Sequence, residues 1–149
     1  MLNRVLSREL AVARAYKRVL PRLHGADLAR GRYFLAQEQE HVDEILRALR
    51  GLGAKAAPEV EEIEREGMRS RADVLDFLYE IESVSVDDGL RASSDLTTPW
   101  MHSLLGSIVA NQAQHLVLLR RALGAGPLAA VPEAFEDGTT PPPGQPHEN

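Results

Sequence analysis

The chain has 149 residues, of which 44% are hydrophobic, 26% charged and only 5% aromatic, the balance of one globular domain with an aliphatic, helix-suited core. Its 17 basic residues are outnumbered by 22 acidic ones and scattered along the sequence, so no electrostatic footprint for nucleic acid is present and none is expected as a partner. With no cysteine, disulfides, thiolate metal sites and thiol nucleophiles are excluded together, and any metal must be held by nitrogen and oxygen.

The first ten residues, MLNRVLSREL, carry Arg4, Arg8 and Glu9 and have no uninterrupted apolar run. Neither a signal peptide nor a membrane anchor is expected, and the expected location is cytoplasmic. The first helical stripe follows spacings of three and four through Leu2, Val5, Leu6, Glu9, Val12, Ala13, Tyr16, Val19, Leu20 and Leu23. After a short HGAD connection, with Asp27 as the expected N-cap, a second stripe runs Leu28, Phe34, Leu35, Glu38, His41, Val42, Ile45, Leu49 and Leu52, stopped by GLGA.

Residues 54–70 break the periodicity with Pro58, Gly67 and alternating charges, and read as a connector with at most one short helical stretch. The acidic run EVEEIERE within it reads as a solvated face. Ser70 with Asp73 resembles a capping box and opens a third stripe of Val74, Leu75, Leu78, Ile81, Glu82, Ser85 and Ala92. A turn, SSDLTTP, supplies Thr98 as N-cap and Pro99 at the first helical position. The fourth stripe is Met101, Leu104, Leu105, Ile108, Gln112, His115, Leu116, Leu119, Ala122 and Leu123, stopped by GAGP. Residues 125–149 are rich in Pro and Gly and read as a mostly extended or disordered tail, leaving 1–124 as the helical domain. Two short connections flanking one long one predict an all-α, ferritin-like four-helix bundle, built from two antiparallel hairpins joined by a crossover.

Five ionisable residues and one amide sit inside apolar stripes where water-facing positions were available. Glu9 and Glu82 are related by an offset of 73, and Glu38/Gln112 and His41/His115 by 74, so the two hairpins read as copies of one unit. At 1.5 Å per residue Glu9 stands about 21 Å before the first turn, and Glu38 and His41 about 16 to 21 Å after it. Glu82, Gln112 and His115 stand at similar distances, about 18 to 24 Å, from theirs. The six are therefore expected in one core layer. A buried carboxylate loses several kcal/mol of hydration unless compensated, and a divalent metal would compensate it. One Glu from each of two helices with a Glu-x-x-His pair from each of the other two is the ligand set of di-iron and di-manganese carboxylate bundles.

The sequence resembles the small bacterial ferritin-like domain proteins, relatives of the ferritin and rubrerythrin superfamily, through RELAVARAY (8–16), FLAQEQEHVDEILRALRGLG (34–53), YEIES (79–83), ANQAQHLVLLRRALG (110–124) and VPEAFEDG (131–138). The resemblance implies a site of Glu9, Glu38, His41, Glu82, Gln112 and His115 holding two iron or manganese ions, with oxygen, peroxide or iron oxidation as the chemistry. It is compatible with a homodimer and does not imply a cage. Members that have lost ligands stand as the alternative, a metal-free scaffold or stress-related interaction module with a hydrogen-bonded core layer. Gln112 stands where the pattern has Glu and brings a neutral carbonyl in place of an anion. Tyr16, at a position beside the site in relatives, has Gly89 as its repeat partner, with Asp88 as a neighbouring anion able to turn inward. His24, His102 and His147 are expected to face solvent, and Trp100 to pack at a helix start.

Overall fold

A computed structural model describes residues 1–132 of the chain. Its helices are α1 (Leu2–Val19), α2 (Gly25–Gly51), α3 (Arg71–Ser94) and α4 (Pro99–Ala122), and among the described residues there is no strand. These are the elements of a ferritin-like four-helix bundle. They fall into two compact units, Met1–Glu66 and the remainder from Gly67. No helix among the described residues is long and apolar enough to cross a membrane.

In the first unit α1 and α2 pack as an antiparallel hairpin. The first stripe predicts helix as far as Leu23, but α1 ends at Val19 and a single 3-10 turn, Leu20–Arg22, replaces its last residues. Pro21 is the cause, because it has no N–H to give to an i−4 carbonyl and its ring crowds the preceding turn. Leu23 is then extended and buried, which completes the reversal early. His24 rather than Asp27 is the N-cap of α2, its carbonyl accepting from the Asp27 and Leu28 amides, while the Asp27 carboxylate pairs with Arg30 at 2.6 Å.

The connector contains no helix. It lies along α1, held at one end by Asn3, whose side chain bonds the Lys55 carbonyl (3.2 Å) and the Ala57 amide (3.0 Å). At the other end Arg18 reaches the Ile63 carbonyl and the Glu64 carboxylate.

In the second unit the Ser70 hydroxyl accepts from the Asp73 amide (3.1 Å) while the Asp73 carboxylate accepts from the Ser70 amide (2.7 Å), the reciprocal capping box that starts α3. Thr98 and Pro99 start α4 as their order suggests, with the Thr98 carbonyl rather than its hydroxyl as acceptor. Helices α2 and α4 stop in the same way. The Ala54 amide bonds the Leu49 carbonyl and the Gly53 amide that of Arg50, and the Ala125 and Gly124 amides repeat this on Arg120 and Arg121. Gly53 and Gly124 have φ of +65° and +104°, the left-handed region that such a stop requires. Beyond α4, residues 126–131 form hydrogen-bonded turns with Ala130 buried. The tail expected to be mostly extended or disordered is 125–149; these turns are its described part, and residues 133–149, His147 among them, lie outside the described residues.

Candidate metal centre

All six polar residues of the stripes are buried, with Glu38, Glu82 and Gln112 at 0% exposure, whereas Glu40 and Glu44 on the other side of α2 face water. Position along a 3.6-residue period is what separates Glu38 from Glu40.

In the first hairpin, Glu9 from the middle of α1 meets Glu38 and His41, one turn apart on α2. The His41 Nδ1 lies 3.1 Å from Glu9 Oε2 and 3.5 Å from Glu38 Oε2. One ligand atom from each of the three falls within 4.8 Å of the others. Burial pushes the Glu9 carboxyl up to about 7, against the hydrogen bond from His41, which lowers it, and the nearby Glu38 charge adds to the rise. For His41, burial favours the neutral ring, but hydrogen bonds and charge from Glu38 and Glu9 prevail and raise it to about 10. Without a metal, the proton on His41 is the local countercharge of two carboxylates.

These residues fit a divalent cation. Carboxylate oxygens and an imidazole nitrogen suit iron, manganese and similar ions, and a spacing of about 3 Å between donors is the edge of an octahedron with bonds of about 2.1 Å. The second hairpin repeats the contact, His115 Nδ1 lying 3.0 Å from Glu82 Oε1, with Gln112 one turn before His115 on α4. Its donor set is poorer, with one carboxylate, one amide and one imidazole.

The family model of the ferritin-like domain matches residues 1–125. The chain belongs to the ferritin-like domain family. No curated protein and no solved structure matches it.

The surroundings of the two triads differ in ways the ferritin-like repeat does not foretell. Tyr16 is wholly buried and meets Phe34 edge-on, ring centroids 6.3 Å apart. A side chain at Gly89, its repeat partner, is blocked, since a Cβ there would stand 2.5 Å from Val109 Cγ2. Asp88 does not turn inward: it is exposed, because its place on α3 lies away from the buried face occupied by Glu82, Val86 and Gly89. His24 and His102 are exposed as expected, and His102 ties the α3–α4 turn together through Ser93 Oγ (3.3 Å) and the Leu96 carbonyl (3.2 Å). Trp100 is 45% exposed, so it packs at the start of α4 only in part.

One buried pair was not anticipated. Arg120 is 4% exposed and donates from Nε (3.2 Å) and Nη2 (2.8 Å) to the Tyr79 hydroxyl, with its guanidinium carbon 5.4 Å from the ring centroid. The signal was present, since Arg120 follows Leu116 by four residues and therefore shares its inward face.

Proposed function

We propose that this protein is a ferritin-like metalloprotein. Glu9, Glu38 and His41 of the first hairpin and Glu82, Gln112 and His115 of the second form its ligand set for iron or manganese. The observation that carries this reading is the buried convergence of Glu9, Glu38 and His41, whose ligand atoms lie within 4.8 Å of one another.

Held by these residues, iron or manganese would supply redox chemistry toward oxygen or peroxide. The chain's own part is to bind and to exclude water. Glu9 and Glu38 provide the anionic charge, and His41 and His115 each present Nδ1 beside a carboxylate. The aliphatic stripe around them, with Tyr16 and Phe34, keeps solvent from the carboxylates and so strengthens their pull on a cation.

Gln112 favours a second reading, a ferritin-like scaffold that works without metal. An amide offers no countercharge to a cation, and the His115 ring already has the Glu82 carboxylate as a hydrogen-bond partner. Metal analysis separates the two. Protein purified from iron- or manganese-supplemented cells is expected to carry near-stoichiometric metal that is lost in Glu38→Ala, whereas metal-free wild-type protein under both conditions supports the scaffold.

A further inference from the structure

We propose that the side of α1 turned away from Glu9 is a docking face for an acidic, extended peptide carrying one bulky apolar side chain, and that the connector covers it in cis. Asn3, Ser7, Ala11, Arg14 and Arg18 recur every three or four residues and so share that side. Glu9, the one acidic residue of α1, lies across the helix from them and is buried.

The connector is held there as a peptide is held by a receptor. The Asn3 carboxamide donates to the Lys55 carbonyl (3.2 Å) and accepts from the Ala57 amide (3.0 Å), which reads an extended backbone whatever its side chains. Arg18 donates to the Ile63 carbonyl and pairs with the Glu64 carboxylate at 3.1 Å, so the second anchor reads backbone and charge together. From Asn3 to Arg18 is about 22 Å along the helix, and Ala57 to Ile63, fully extended, span about 20 Å. The segment between the anchors is therefore extended and runs in the direction of α1.

Charge and space say what fits. Glu59, Glu61, Glu62, Glu64 and Glu66 make the connector acidic, against Arg14 and Arg18 on the helix. Ala11 and Ala15, both buried, let the peptide come close because they present only methyl groups. Even so, a cavity of about 290 Å³ remains between Ala11, Arg14, Ala15 and Arg18 on one side and residues 62–64 on the other. Ile63 is only half-buried, so a larger apolar side chain in its place would bury more surface. Both anchors are exposed to water, which makes the connector a cover that opens locally without unfolding the hairpin. Its tether keeps it at an effective concentration of about millimolar, and a separate peptide must outcompete that.

The test uses full-length protein and two fluorescent peptides, residues 54–66 and the same sequence with Ile63→Phe, followed by anisotropy. The receptor is a variant whose own connector is weakened by Glu62→Gln, Ile63→Gly and Glu64→Gln, its fold checked by melting. The Ile63→Phe peptide is expected to bind this receptor at least about ten-fold more tightly than it binds wild type, and at least about three-fold more tightly than the native-sequence peptide does. Adding Arg14→Ala and Arg18→Ala to the receptor, or raising NaCl from about 20 mM to about 500 mM, should weaken binding by at least about ten-fold. In wild type, excess Ile63→Phe peptide should speed hydrogen exchange of the Ala57 amide by displacing the connector from Asn3, and this readout decides even if the weakened variant does not fold. Exchange at Ala57 that stays unchanged at about millimolar peptide overturns the proposal. So does equal affinity of the two peptides, or binding indifferent to Arg14, Arg18 and salt.

Discussion

The His41 ring nitrogen Nδ1 stands 3.1 Å from Glu9 Oε2, joining residues 32 positions apart at the centre of the first hairpin. The contact sets the sign of the pH dependence of stability in the metal-free protein. Glu9 is raised from 4.5 to about 7, so its contribution is fully present below its unfolded value and is lost as pH rises through about 7. His41 is raised from 6.5 to about 10, and its contribution is likewise lost as pH rises through about 10. Both act in the same direction. The melting temperature of chelator-treated protein should fall from about pH 5 to about pH 10, and His41→Gln should remove the upper limb of the fall. A profile that rises over this window contradicts the assignment.

The capping box at the start of α3 gives a prediction remote from any metal. Ser70→Ala removes the acceptor of the Asp73 amide and should cost about 1 kcal/mol. Ser70→Asn, which restores a capping oxygen, should recover most of the loss in urea denaturation.

Breaking the Arg120–Tyr79 pair should cost more than its exposed counterparts do. Tyr79→Phe takes the hydroxyl from two donors of a buried guanidinium and should destabilise by about 1.5–3 kcal/mol. Exposed Arg91→Ala, which loses only the pair with Asp87, should cost at most about 1 kcal/mol. The double variant Tyr79→Phe with Arg120→Met should cost less than the sum of its parts, because it leaves no stranded donor.

At Gly89, α3 lies directly against Val109 of α4. The Val109 methyl would lie 2.5 Å from a new Cβ and, on a β-branched side chain, has few rotamers in which to move away. Gly89→Ala should therefore destabilise by about 1–3 kcal/mol. Adding Val109→Ala should relieve the clash and return part of that energy.

Much of this architecture is legible one helix at a time. The stripes of three and four locate all four helices, and the Ser70–Asp73 box and the two glycine stops mark three of their ends, because each of these signals is made by residues within a few positions of one another. The start of α2 is the instructive miss. Asp27 is a good N-cap by residue type, but Pro21 ends α1 early, so the reversal is complete by His24 and the carboxylate turns to Arg30 instead.

The buried polar residues divide along the same line. That Glu9, Glu38, His41, Glu82, Gln112 and His115 point inward follows from helical phase, which the sequence encodes locally. Which atoms they meet does not. The pairing of His41 with Glu9, the Arg120 guanidinium beside Tyr79, and the methyl of Val109 that closes the space at Gly89 all join residues on different helices. Phase fixes the side of a helix that is buried. The register and separation at which two helices pack, set by every side chain between them, decide which buried groups touch.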